Sequence, residues 1–187
     1  MSREPGDLTP TPGQTIGPFY GYALPYDGDS ELVPPRHADA VRLHGTVRDG
    51  AGAPVPDALL ELWQADPGGA VPQEAGSLRR DGWTFTGWGR AATDNAGHYS
   101  FTTLAPGAPD GRGAPFFAVT VFARGLLDRL LTRAYLPGDD PALAADRVLA
   151  SVDPDRRGTL VAVADEHGYR FDVHLQGDDE TVFLRHR

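Results

Sequence analysis

Gly87-Trp88-Gly89-Arg90-Ala91-Ala92-Thr93-Asp94-Asn95-Ala96-Gly97-His98-Tyr99-Ser100-Phe101-Thr102-Thr103 is the stretch on which the fold turns. Two short runs flank Asp94-Asn95-Ala96-Gly97, where Asp and Asn bond their own backbone and Gly tolerates positive φ. The spacing predicts a hairpin with arms 87–93 and 98–103. Working outward, residues 40–48 set Val41, Leu43, Gly45 and Val47 against Arg42, His44, Thr46 and Arg48, the alternation of a half-buried strand. Asp49-Gly50-Ala51-Gly52 and Pro54 mark its turn. Residues 58–65 read as a second strand, with Glu61 on the face of Leu59 and Trp63. Residues 116–123 are apolar on both faces, as in a central strand, and 131–136 form a shorter one.

Downstream, residues 141–150 read as the one helix, with Asp140 ahead of Pro141 as its N-cap. The C-terminal part reads as a long hairpin, 159–164 and 169–176, joined through Asp165-Glu166-His167-Gly168, with Tyr169, Phe171, Val173 and Leu175 facing in. The sum is an all-β sandwich with one short helix. Residues 1–39 hold seven prolines and little alternation, so they read as an extended N-terminal arm contacting a partner subunit, and 40–187 as the sandwich domain.

Composition narrows the function. The chain of 187 residues suits one well-buried domain. With no cysteine, it has no disulfide, zinc-thiolate site or cysteine nucleophile. A formal net charge of −9 repels phosphate backbones and anionic lipid surfaces, so an anionic small molecule binds only where local arginine overrides the global field. The start, Met1 to Asp7, lacks the apolar core of a secretion signal, and no run approaches the roughly 20 apolar residues of a membrane span, so a cytoplasmic location is expected.

Generic catalytic signatures are missing. The six histidines form no HxH or HExxH pair. Asp172 and His174 share a strand face that reads as solvated polar surface, as does His44 between Arg42 and Thr46. None of the five serines sits in a GxSxG elbow, and the glycines make neither a Walker loop nor a dinucleotide fingerprint.

The ordered set Gly45-x-Val47-x-Asp49, Gly52-x-Pro54-Val55, Ala58-x-x-Glu61-x-Trp63-Gln64-Ala65-Asp66, Gly89-Arg90-x-x-Thr93-Asp94-x-x-Gly97-x-Tyr99-x-Phe101 and Thr132-Arg133-x-Tyr135-x-x-Gly138-Asp139 resembles the intradiol ring-cleavage dioxygenases. Thr11-Pro12-Gly13-Gln14-Thr15-Ile16-Gly17-Pro18-Phe19-Tyr20, Phe122-Ala123-Arg124-Gly125 and Gly168-Tyr169-Arg170-Phe171-Asp172 are similar to the branch of that family built from unlike alpha and beta chains.

In the family's catalytic chains two tyrosines and two histidines hold a non-haem Fe³⁺, a hard ion suited to phenolate and imidazole. The resemblance puts those four places near Val71 and Pro109 and at Phe116 and Ala118. No tyrosine lies between Tyr26 and Tyr99 and no histidine between His98 and His167. The resemblance therefore implies that this chain binds no metal and that the iron belongs to a homologous beta subunit. It also implies that Thr15, Gly17, Pro18 and Arg133 bind the substrate, 3,4-dihydroxybenzoate, beside O₂, with Arg133 the catalytic arginine. A guanidinium suits a carboxylate, glycine admits a flat ring, and proline fixes a loop.

Each of these residues also has a plainer reading. Gly17-Pro18 can also be read as a turn that bends the arm. Arg133 can also be read as an ion-pair partner for Asp139 or Asp140. Trp63 and Trp88 read as interface or core aromatics, and Arg90 and Asp94 as fixing the hairpin. Part of the pattern also resembles metal-free transthyretin-like binding modules. A self-sufficient dioxygenase using Tyr99, Tyr135 and His174 would be a third arrangement.

Overall fold

The computed structural model describes residues 15–17, 19–74, 80–111, 113–138 and 141–185. Pro18, Asp139 and Asp140 lie outside the described residues. The elements in chain order are α1 (Tyr20–Ala23), β1 (Ala40–Arg48), β2 (Leu59–Gln64), β3 (Trp88–Ala92), β4 (His98–Leu104), β5 (Phe116–Phe122), β6 (Leu130–Tyr135), α2 (Pro141–Ala145), α3 (Arg147–Ser151), β7 (Val163–Asp165), β8 (Gly168–Arg170) and β9 (Val173–His174). They build two sheets, one ordered β4-β1-β8-β7 with β9 also on β1, the other β3-β2-β5-β6.

The inward faces follow the alternation. Leu43, Val47, Phe101 and Val173 from one sheet meet Leu60, Leu62, Phe117, Val119 and Val121 from the other in one core. Phe101 and Phe117 are fully buried, so truncating either to alanine costs about 3–5 kcal/mol. Gln64 joins the sheets: its Nε2 donates to the Leu104 carbonyl at 2.9 Å, and its Oε1 accepts from the Thr103 hydroxyl at 2.5 Å. The arm contributes as well. Leu32 and Val33 donate backbone N–H groups to the Thr102 carbonyl, and Leu32 lies in the core.

Three sequence expectations need correction. The turn at Asp94–Gly97 forms as read: Asp94 Oδ1 accepts from the N–H groups of Ala96 and His98 at 2.8 and 2.9 Å, and Gly97 has φ +76°. Its arms are not a hairpin, however. β3 pairs with β2 while β4 pairs with β1 over seven positions, so the chain changes sheet at the turn. Thr93 directs the departure, because its hydroxyl donates to Val55 O at 2.8 Å and accepts from Ala58 N at 3.0 Å, away from β4.

The single helix over 141–150 is two helices. Asp146 adopts an extended backbone and accepts from the N–H groups of Val148 and Leu149, so it caps α3 and breaks the run. The short helix α1 had no counterpart in the sequence reading.

The long C-terminal hairpin is shorter than read. Residues 154–160 form a 3-10 turn begun by Asp153 and Pro154, and only β7 and β8 pair antiparallel. β8 and β9 then run parallel to β1 and break between 170 and 173, where the Asp172 carboxylate accepts the Thr46 N–H at 2.9 Å in place of a backbone partner. Gly45 is required at this crossing, since an added Cβ would sit 2.0 Å from the Phe171 carbonyl oxygen.

Candidate functional site

β5 and β6 pair in a register that sets Ala118 opposite Arg133 and Phe116 opposite Tyr135. Since Phe117, Val119 and Ala134 enter the core, the period of two turns Phe116, Ala118, Arg133 and Tyr135 to the outer face of the sheet. Among these, Tyr135 is fully buried, because Leu149, Leu160 and Ala114 close over it as a second apolar cluster.

Arg133 is held on two sides. Its guanidinium lies 3.9 Å from the centre of the Phe116 ring, in cation–π range. Its Nη1 donates to the Tyr135 hydroxyl at 3.0 Å, and that hydroxyl donates to Asp146 Oδ1 at 2.9 Å. Burial, offset in part by the hydrogen bond from Arg133, raises the Tyr135 phenol to about 12, so it stays a neutral donor. Burial alone would raise Asp146; hydrogen bonds from Leu149 N–H, the Tyr135 hydroxyl and Val148 N–H outweigh it and hold the carboxyl below its ordinary value. The residue that breaks the helix is thus the residue that anchors Tyr135 and, through it, Arg133.

Arg133 opens onto a cleft of about 640 Å³ lined also by Val148, Val152, Asp153, Arg156, Val182 and Arg185. The C-terminal segment reaches it by running along β6: Thr132 donates its hydroxyl to Val182 O at 2.8 Å, and Leu184 N–H donates to Leu131 O at 2.7 Å.

The arm residues lie elsewhere on this chain. Ile16, between Thr15 and Gly17, donates its N–H to Leu126 O at 2.8 Å and accepts from Gly125 N–H, beyond the end of β5. An added Cβ at Gly17 meets nothing within 4 Å, and φ there is not positive, so nothing among the described residues demands glycine at this position. The structure does not bring Thr15 and Gly17 together with Arg133 in one described pocket.

The four places where the resemblance puts iron ligands are Val71, half exposed; Pro109, at the start of a 3-10 turn; and Phe116 and Ala118 on β5. None of these side chains carries an atom that ligates Fe³⁺. The Phe116 ring instead carries the Arg133 guanidinium. The donor set does not fit the metal. Among the described residues no group of three or more His, Asp or Glu could hold a metal ion. Two of the three alternative ligands are committed elsewhere and apart: the Tyr99 hydroxyl donates to Phe171 O at 2.5 Å inside the core, with burial raising its pKa, and Tyr135 is bound to Asp146.

Remaining candidates resolve as packing. Trp88 is buried, Trp63 is half exposed beside it with ring centres 6.3 Å apart, and Arg90 caps the Trp88 ring. Arg90 does not fix the turn: it pairs with Glu61 at 2.7 Å and donates to Leu24 O, tying the arm to the sheet. His44 bonds Asp165 at 3.2 Å, which places it in the polar face of the other sheet. The sequence reading missed Phe116 as a platform, Asp146 as an anchor, and Arg156 and Arg185 as neighbours of Arg133. Asp146 alone carried a signal, an N-cap residue before Arg147-Val148-Leu149.

Comparison with known proteins adds the following. A family model described as Dioxygenase matches residues 17–118. The protocatechuate 3,4-dioxygenase alpha chain of Burkholderia cepacia is 41% identical, covering 95% of this chain and 98% of its own length. That of Pseudomonas putida is 37% identical over 96% and 98%. The protocatechuate 3,4-dioxygenase beta chain of Burkholderia cepacia is 34% identical over 75% of this chain and 66% of its own. Among solved structures, the dioxygenase domain of a dioxygenase–carbohydrate-binding fusion from Streptomyces sp. SirexAA-E superposes with a TM-score of 0.59 at 28% identity, covering 90% of this chain and 99% of that one.

Proposed function

The chain belongs to the intradiol ring-cleavage dioxygenase family, as a homologue of protocatechuate 3,4-dioxygenase alpha chains, and from that premise we propose that it is the iron-free alpha subunit of such an enzyme. In this reading it pairs with a homologous beta subunit that holds the Fe³⁺. The complex converts protocatechuate and O₂ to 3-carboxy-cis,cis-muconate, both oxygen atoms entering the product as the bond between the two hydroxylated carbons breaks. The iron would supply the redox chemistry; this chain supplies walls and a cation. The enzyme works in the cytoplasm.

Arg133 is the residue that acts on substrate. A guanidinium on an aromatic platform, tied to a neutral phenol and not to a carboxylate among the described residues, keeps donors for the carboxylate of protocatechuate. Residues 1–39 are the arm that crosses to the partner, and Thr15, Gly17 and Pro18 line the partner's pocket. The open space beside Gly17 on its own chain supports a role toward another surface.

One observation carries the reading. Beside a full-length likeness to alpha chains, the resemblance puts two iron ligands at Phe116 and Ala118, whose side chains carry no donor, and the Phe116 ring lies against the Arg133 guanidinium instead. The test is co-expression with the beta chain: the two should co-purify and consume O₂ with protocatechuate. Two independent elution peaks with no activity on mixing would overturn the proposal.

A further inference from the structure

We infer that Arg156 and Arg185 join Arg133 to make the cleft beneath β6 a binding site for the carboxylate of an aromatic acid, with Val148, Val152 and Val182 as the wall for its ring. This deepens the proposed function and rests on it only for the identity of the acid.

Charge is the first argument. The chain has 26 Asp and Glu against 17 Lys and Arg, so three arginines gathered around one cleft run against its overall charge. Arg90, Arg124 and Arg170 each pair with a carboxylate, at 2.7, 2.9 and 3.6 Å. Arg133, Arg156 and Arg185 form no ion pair among the described residues, yet they converge on a cleft whose lining includes one carboxylate, Asp153. Three like charges lining one cleft repel one another, an arrangement that an incoming anion relieves.

Burial is the second. Arg156 donates an Nη2 hydrogen to the Glu180 carbonyl, while its Nε is buried without a hydrogen-bond partner among the described residues. A guanidinium with unmet donors and no counter-charge is costly to bury. An anion in the cleft offsets that cost through its field even where it does not touch Nε.

Shape is the third. The volume of about 640 Å³ exceeds what a bare inorganic anion needs, and Val148, Val152 and Val182 line it together with the arginines. Apolar wall opposite cationic donors is the recognition pattern for a flat ring bearing a carboxylate.

The test titrates the full chain, and the chain in complex with its beta partner, with benzoate and with benzamide, which share the ring and differ in charge. Benzoate should bind saturably and at least about tenfold more tightly than benzamide. Arg185→Gln, which removes no hydrogen bond among the described residues, should weaken benzoate about tenfold and leave benzamide unchanged, with an unaltered melting temperature; Arg156→Lys should weaken benzoate less. Equal binding of the two probes, or benzoate affinity unmoved by Arg185→Gln, overturns the site. Inorganic phosphate competing as well as benzoate overturns the aromatic part of the assignment. Benzoate binding that persists when the complex fails to turn over protocatechuate supports the cleft and counts against the dioxygenase reading alone.

Discussion

Two clefts of similar size lie on opposite sheets and have opposite electrostatics. The one on the outer face of β1 and β4, about 540 Å³, sets Arg42, Arg48 and Arg170 against Asp94, Asp165 and Asp172, with His44, His98 and His167 between them. Each of its carboxylates has a partner, His44 for Asp165, His98 for Asp94 and Arg170 for Asp172, while Arg42 donates to Ser100 Oγ and Arg48 to the Gly52 carbonyl. The cleft beneath β6 sets Arg133, Arg156 and Arg185 against Asp153 alone, over an apolar wall. On the first face three arginines stand against three carboxylates, whereas in the second cleft three arginines stand against one, beside a hydrophobic wall, which leaves net positive charge for an anionic ligand. That contrast, and not the number of titratable groups, separates solvated surface from candidate site here.

Breaking the contrast at its strongest point should give the largest effect. Arg133→Ala in the complex should lower kcat/KM for protocatechuate about tenfold to a hundredfold, the range of a charged hydrogen bond lost, with the iron content unchanged. His44→Ala on the balanced face should change turnover less than about twofold. Steady-state O₂ uptake checks both, and equal effects would erase the distinction.

Tyr135→Phe removes the link between Arg133 and Asp146 without opening a cavity. It should destabilise the chain by about 1–3 kcal/mol, since a buried carboxylate loses a donor, and raise KM more than it lowers kcat. Denaturant melts and kinetics on one preparation read both.

Asp146 sharpens the comparison through pH. Its folded pKa lies below the ordinary value, so the stability it contributes is full above about pH 4 and is lost as pH falls through the folded value. Asp146→Asn keeps the cap but removes that charge. The Tm difference between native chain and variant should therefore shrink on acidification, and curves that stay parallel would remove Asp146 from this role. The smallest effect is expected at Gly17→Ala: melting within about 0.5 kcal/mol of the native chain, with a measurable loss of turnover only in the complex.

Sequence reading recovered what is local and lost what is long-range. The Asp94–Gly97 turn was legible because Asp94 bonds its own neighbours. That β3 and β4 part company was not, because it depends on β1 and β2, whose pairing lies tens of residues away. The alternation of β1 gave Leu43 and Val47 as core, whereas the break at Asp172 comes from one carboxylate taking the place of a backbone partner. Arg133 was reachable through its motif. Arg156 and Arg185 belong to no motif: the 3-10 turn at 154–160 carries the first to it and the C-terminal segment bonded along β6 the second.

The most direct check is iron analysis joined to O₂ uptake, on each chain alone and on the mixture. The account predicts that this chain alone holds no stoichiometric ferric iron and consumes no O₂ with protocatechuate, and that the mixture with the beta chain does both. An iron-loaded, ring-cleaving preparation of this chain alone would contradict it.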